Sequence, residues 1–306
     1  MYAVSDAAMD LALPAAVIVD GRETPAEQIR VDVARVAAGL SERFVGAGDR
    51  VIVSLPNSYE FVVVNLAVEL LGAVTVNLPV GFRREVGQVV RMVDARLCVM
   101  HHMEDIGLYG DLRRYVSLEM QLEPLLGDPS RVQAAQRRPE DRTWLAVTSG
   151  STGTPRAAVH TRLSLEASTR AMAERYGLGA DDVLFAAAPV GHAIGFCYGV
   201  RLACTCGARL VLQSKWNAEA AVALIDEGRC TFAAIPTPFL ADLLDVKVKP
   251  RQGTLRHLLV GGAPVARDQV AAADLIFGHG VTSGYYGASE CGAALSSPPH
   301  TPDEKR

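Results

Sequence analysis

Two short segments carry residue types that could do chemistry on a nucleotide. The first runs from Thr148 to Arg156 and follows the apolar stretch Trp144-Leu145-Ala146-Val147. Gly150 and Gly153 let the backbone turn tightly and present N–H groups to an anion, and Ser149, Ser151 and Thr152 add hydroxyl donors. Arg156 supplies a fixed positive charge that can fork onto phosphate oxygens. Such a loop suits the β- and γ-phosphates of a nucleotide, although it lacks the spacing of a Walker A loop. A polar hairpin turn accommodates the same residues, because Arg156 leads into the strand-like Ala157-Ala158-Val159-His160.

The second segment is Tyr285-Tyr286-Gly287-Ala288-Ser289-Glu290. Tyr286 offers a ring face to a purine, Ser289 a hydroxyl to a phosphate, and Glu290 a hard oxygen ligand to Mg²⁺. Taken alone, these residues also describe a strand end followed by a helix-capping serine.

Positioning such groups requires an ordered scaffold, and the sequence alternates helix-period and strand-period segments nearly throughout. Thr24-Pro25-Ala26-Glu27 has the form of a capping box with proline at the first helical position, opening a helix with Ile29, Val33, Val36, Ala37 and Leu40 on one stripe. Strands are expected at 50–55, 73–77, 97–100, 144–148, 183–187, 209–212, 231–235, 257–260 and 281–286. Helices are expected at about 58–71, 83–94, 217–227 and 265–275. Repeated strand–helix–strand units imply an α/β fold of parallel-rich β-sheets flanked by helices. The polar stretch 127–142 reads as a connector, and the Pro-rich tail 296–306 as frayed.

Composition excludes several classes. The 306 residues are 49% hydrophobic and 21% charged, a globular balance, with a net charge of −4 and no long charge runs. No basic cluster suited to nucleic acid is present. The longest apolar run, 61–76, is interrupted by Asn65 and Glu69, so no membrane span is expected. No signal peptide opens the chain, and a cytoplasmic location is expected. Cys98, Cys197, Cys204, Cys206, Cys230 and Cys291 are scattered without metal-ligand spacing and read as reduced thiols. No GxGxxG opens a helix, which disfavours a Rossmann-type oxidoreductase.

The first segment resembles the phosphate loop of the adenylate-forming (AMP-binding) superfamily, and the second its Tyr-Gly-x-Thr/Ser-Glu motif. That superfamily includes acyl- and aryl-CoA synthetases, peptide-synthetase adenylation domains and firefly-type luciferases. Supporting matches fall in the family's order: Gly48-Asp49-Arg50-Val51-Ile52-Val53 with Leu55-Pro56-Asn57, Leu71-Gly72-Ala73-Val74, Pro189 to Gly195, and Gly261-Gly262-Ala263-Pro264. The resemblance implies a layered αβαβα arrangement and ATP-dependent activation of a carboxylic acid to acyl-AMP, followed by transfer to CoA or another thiol.

It further implies that Thr148, Ser149, Gly150, Ser151, Thr152, Gly153 and Arg156 hold the pyrophosphate end of ATP, with Arg156 where most members carry lysine. Gly261, Gly262 and Ala263 would line the adenine site. Tyr285, Tyr286 and Gly287 would belong to the ATP/AMP site, with Tyr286 stacked on the base. Ser289 would contact the α-phosphate, and Glu290 would hold Mg²⁺. His192, Phe196, Cys197 and Pro238 would form the acid pocket. Ala193 stands where amino-acid-activating members carry an amine-binding Asp, so the expected acid is apolar: aryl, alicyclic or medium-chain. Family members continue past the second motif into a carboxy-terminal lid that carries a catalytic lysine. Residues 1–306 therefore read as an incomplete amino-terminal domain, of one piece or of two packed subdomains joined near 127–142, with that lid or a carrier protein acting in trans. A catalytically inactive acid- or nucleotide-binding fragment, or an assembly protein that keeps the fold, is the alternative.

Overall fold

The computed structural model describes residues 11–80, 82, 86–101, 115–118, 121–148, 154–247, 250 and 253–296. In chain order the strands are β1 (Ala16–Val19), β2 (Arg22–Pro25), β3 (Arg50–Ser54), β4 (Val74–Asn77), β5 (Ala95–Met100), β6 (Tyr115–Ser117) and β7 (Arg142–Thr148). They continue as β8 (Arg156–Thr161), β9 (Val183–Ala186), β10 (Arg209–Leu212), β11 (Phe232–Pro236), β12 (His257–Gly261), β13 (Thr282–Ala288) and β14 (Gly292–Ser296). The helices are α1 (Ala26–Glu42), α2 (Tyr59–Leu70), α3 (Val86–Val93), α4 (Arg162–Tyr176), α5 (Ala193–Gly195), α6 (Leu202–Cys206), α7 (Ala218–Glu227), α8 (Thr237–Leu244) and α9 (Arg267–Phe277).

Two compact units emerge, one of residues 1–12 and 26–165, the other of 13–25 and 166–306. The first is built on a sheet in the order β6-β5-β3-β4-β7-β8, parallel except for the antiparallel pair β7–β8. The second is built on a sheet in the order β14-β13-β12-β11-β9-β10-β1-β2, parallel inside and closed at each edge by an antiparallel hairpin. Parallel-rich sheets flanked by helices are what the alternating pattern predicts.

In the first unit the stripe Ile29, Val33, Val36, Ala37 and Leu40 of α1 is buried, as its spacing requires. One start signal behaves differently: Pro25 ends β2 in register with Ala16, and α1 begins at Ala26. Edge pairing in the sheet outweighs the local preference of proline for a first helical turn, and an edge strand tolerates its missing N–H. Helix α2 is buried almost all round, and the Ser58 side chain caps it by accepting from Phe61 N–H at 3.1 Å. Ser58→Ala is expected to cost about 1 kcal/mol, measured as a lower urea midpoint with an unchanged slope.

The polar stretch 127–142 lies within this unit and is tied down throughout. Gly127 N–H donates to Arg35 O at 2.9 Å, and Ala135 N–H to Leu70 O at 3.0 Å. The Arg137 guanidinium meets the Glu69 carboxylate of α2 at 2.7 Å, with both side chains largely buried.

In the second unit an apolar core runs through Phe185, Val211, Ile225, Ile235, Leu258 and Val260 between the sheet and helices α7 to α9. Asp274 of α9 fixes the entry to β13 by accepting from Gly280 N–H at 3.0 Å and Thr282 N–H at 2.9 Å. Strands β1, β2 and β14 add to the sequence expectations. Strand β1 is only four residues long, and its place is fixed by parallel pairing with the distant β10.

Candidate functional site

Ligands of open parallel sheets gather at the carboxyl ends of the strands. In the second unit those ends, at β12 and β13, frame a cleft of about 670 Å³ lined by Gly262, Ala263, Pro264, Tyr285, Tyr286 and Gly287, with Val270 and Leu295. Strand β12 delivers Gly261, and the chain then turns through Gly262 at a φ of 85°, in the left-handed region that favours glycine. Gly261 is glycine for a different reason. A Cβ there would lie 2.5 Å from the Tyr285 carbonyl oxygen and 2.7 Å from its ring.

The turn is braced from below. Thr237, in the first turn of α8, donates through Oγ1 to the carbonyls of Ala263 at 2.9 Å and Gly261 at 3.2 Å. No bracing role for Thr237 is legible in the sequence, because its partners Gly261 and Ala263 lie 24 and 26 residues further along the chain.

Strand β13 runs through Tyr285, Tyr286 and Gly287 to Ala288, and Ser289, Glu290 and Cys291 form the turn into β14. The second motif is therefore a strand and a hairpin turn, not a strand end leading into a helix. Alternation along β13 separates its two tyrosines. Tyr286 is 67% exposed on the cleft, whereas Tyr285 is 9% exposed with its ring against Gly261. Glu290 projects from the turn as an exposed residue. Mg²⁺ is commonly held by one or two carboxylates together with substrate phosphates, so a single exposed carboxylate in the turn that follows the cleft-lining strand fits it. Among the described residues no cluster of three or more His, Cys, Asp or Glu forms an all-protein metal cage.

Behind the cleft, α5 passes into a π-helical segment, Phe196–Arg201, and then α6. Such widened turns recur at functional sites. Phe196 and Cys197 are buried at 3% and 2% exposure. Burial pushes the Cys197 thiol up to about 12, the nearby Arg201 only partly opposing it, so the thiol is neutral. Tyr198 packs edge-on against Tyr285, ring centroids 5.9 Å apart. His192 precedes α5 as an exposed residue whose side chain makes no capping bond, and desolvation of its ring holds the imidazole below its ordinary value, on the neutral side at pH 7. Ile194 Cδ1 would lie 3.5 Å from a Cβ on Gly262, which joins this segment to the cleft. Pro238 is exposed in the first turn of α8.

In the first unit, Thr148 ends β7 and Arg156 opens β8, paired across an antiparallel hairpin. Arg156 is exposed at its base. Ser149, Gly150, Ser151, Thr152 and Gly153 lie outside the described residues. All six cysteines are free thiols, with Cys291 exposed in the β13–β14 turn. Among the described residues no helix is long and apolar enough to cross a membrane.

A family model described as AMP-binding enzyme matches residues 12–306. The medium-chain fatty-acid–CoA ligase of Escherichia coli (strain K12) is 30% identical over 246 residues, which make up 73% of this chain and 44% of that protein. The 2-hydroxy-7-methoxy-5-methyl-1-naphthoate–CoA ligase of Streptomyces carzinostaticus is 30% identical over 253 residues, 71% of this chain and 44% of that protein. The crystal structure of ATP-bound MatB from Rhodopseudomonas palustris shares the fold, with a TM-score of 0.85 at 20% identity over 96% of this chain and 60% of that one. The chain spans about half the length of the curated relatives it matches.

Proposed function

Because this chain belongs to the family of AMP-binding enzymes, we propose that it binds ATP and a carboxylic acid and carries the surfaces on which the acid is converted to acyl-AMP, for later transfer to CoA or another thiol. The observation that carries this reading is the cleft at the ends of β12 and β13. There a glycine turn braced by Thr237 faces the exposed ring of Tyr286, and the Glu290 turn follows directly.

A carboxylate is a poor electrophile because its charge is delocalised and its leaving group would be oxide. In adenylation one carboxylate oxygen attacks the α-phosphorus of ATP. The bond from that phosphorus to the bridging oxygen of the β-phosphate breaks, and pyrophosphate leaves with the electron pair. No protein nucleophile is needed, so the residues act by placement and charge neutralisation. Gly261, Gly262 and Ala263 receive the adenine and Tyr286 its ring face. Ser289 meets the α-phosphate. In the first unit, Thr148 and Arg156 supply a hydroxyl and a fixed positive charge of the kind that pyrophosphate needs. Glu290 would hold Mg²⁺, which supplies positive charge to the phosphate oxygens as the leaving group departs. His192, neutral at pH 7, borders the acid without adding a cation, which favours an otherwise apolar acid beside Phe196 and Cys197. The names of the relatives, a medium-chain fatty-acid ligase in one case and a naphthoate ligase in the other, support acids of that kind.

Exchange of labelled pyrophosphate into ATP tests the proposal. Exchange should depend on an added carboxylic acid and on Mg²⁺, and Arg156→Ala should lower it by about 10²- to 10³-fold. The assay is run on the chain alone and with the carboxy-terminal domain of a relative added. No exchange in either setting, with any acid of an aliphatic and aryl panel, would refute the assignment.

A further inference from the structure

We infer that Tyr198 is a positioning residue for the β13–β14 turn, its hydroxyl holding that turn where Ser289 and Glu290 reach the α-phosphate and Mg²⁺. The inference deepens the adenylation reading and rests on the metal role it gives Glu290.

The β13–β14 hairpin forms an edge of its sheet, so one side of β14 has no neighbouring strand. Its ladder is also interrupted. Tyr286 pairs with Leu295, the register then shifts, and Gly287 pairs with Ala293. Irregularities of this kind bend a strand and re-aim what lies beyond them. Ser289 and Glu290 lie beyond this one, so a tie from outside the hairpin bears on where they point.

That tie comes from the π-helical segment. Tyr198 is 3% exposed, and its hydroxyl accepts the N–H of Ala293 and shares a hydrogen bond with the side chain of Ser168 in α4. The approach is close. A Cβ on Gly292, which turns at a φ of 65°, would lie 2.7 Å from Ser168 Oγ and 2.9 Å from the Tyr198 hydroxyl oxygen. Burial pushes the phenol up to about 12, so it keeps its proton and can donate to Ser168 while accepting from Ala293. At the other end of β14, Arg175 of α4 donates to Ser296 O at 2.5 Å. Helix α4 therefore holds β14 directly at Ser296 and through Tyr198 at Ala293. Phenylalanine at 198 would keep the ring beside Tyr285 and remove only the tie. Tyr198 also follows Phe196 and Cys197 in one segment, so its hydroxyl joins the wall assigned to the acid to the turn assigned to the metal.

The test is calorimetric titration of ATP, with Mg²⁺ and again with a chelator, into the parent, Tyr198→Phe, Glu290→Gln and the double variant, together with hydrogen exchange of the amides of 288–293. In Y198F the tightening of ATP binding by Mg²⁺ should fall about 3- to 10-fold. Affinity without the metal should stay the same, and the amides of 288–293 should exchange faster. Added to E290Q, Y198F should change ATP binding no further, since both act on one interaction. In pyrophosphate exchange kcat should fall while KM for the acid stays the same. Ser168→Ala, which withdraws the hydroxyl's second partner, should shift the metal dependence in the same direction, and it decides the matter if Y198F does not fold. Full metal dependence in Y198F overturns the inference. So does an equal loss of affinity with and without Mg²⁺, which would mark a purely structural hydroxyl. If ATP binds with the metal but no acid supports exchange, adenylation fails, and the calorimetric comparison still decides the role of Tyr198. A parent that binds ATP equally in both conditions, or not at all, removes the metal role of Glu290, and the inference falls with it.

Discussion

Glu290→Gln is expected to abolish the Mg²⁺-dependent part of ATP binding while leaving the protein folded. The side chain sits on the β13–β14 turn as an exposed residue, and surface changes of this kind shift stability by about 0.5 kcal/mol or less. Glutamine keeps the size and one acceptor oxygen but removes the charge that a hard dication needs. Titration of ATP by calorimetry, with Mg²⁺ and again with a chelator, separates the two contributions. The parent should bind more tightly with the metal, and the variant should bind equally in both conditions, at the affinity of the metal-free parent. Pyrophosphate exchange should fall by about 10²- to 10³-fold. A variant that retains the full metal dependence would place the ligand elsewhere.

The second large effect is on stability. Gly39→Ala should destabilise the first unit by about 3 kcal/mol, although helix propensity alone predicts a gain of about 1 kcal/mol for this change in a helix interior. Gly39 lies in α1 where the segment after β6 crosses it. An added Cβ would lie 1.8 Å from the Leu125 carbonyl oxygen and 2.6 Å from its carbon. Both are backbone atoms, so no rotamer change relieves the clash. The crossing segment would have to lift, and the bond from Gly127 N–H to Arg35 O would be lost with it. Trp144 is 1% exposed in this unit, so its fluorescence during urea unfolding reports on the unit that is perturbed. A raised midpoint for G39A would mean that propensity outweighs the close approach.

Both expectations turn on where segments meet, and that is also what separates legible features from hidden ones. The α1 stripe was readable because it depends on neighbours three or four residues away. The inner strands were readable because strands buried on both faces become continuous apolar runs. The stretch 127–142 looked like a connector because its anchors, Arg35, Glu69 and Leu70, lie 65 to 92 residues earlier. Local polarity gave no sign that Arg137 would be buried against Glu69.

The order and chemistry of the motifs were written in the chain itself: a hydroxyl- and glycine-rich segment ending in Arg156, a Gly261-Gly262-Ala263 turn, and a tyrosine–glycine–serine–glutamate run. Residue type and spacing suffice for that, since a glycine turn or a carboxylate keeps its chemistry wherever it is placed. Residue type alone does not say which of two adjacent tyrosines is exposed on the cleft; the family resemblance singled out Tyr286, without a physical reason for the choice. Tyr285 and Tyr286 are identical in covalent structure, and only the pairing of β13 with β12 and β14 sends one inward and the other out. Register is set by partners distant in sequence, so the buried hydroxyl of Tyr285 becomes visible only once the sheet is assembled.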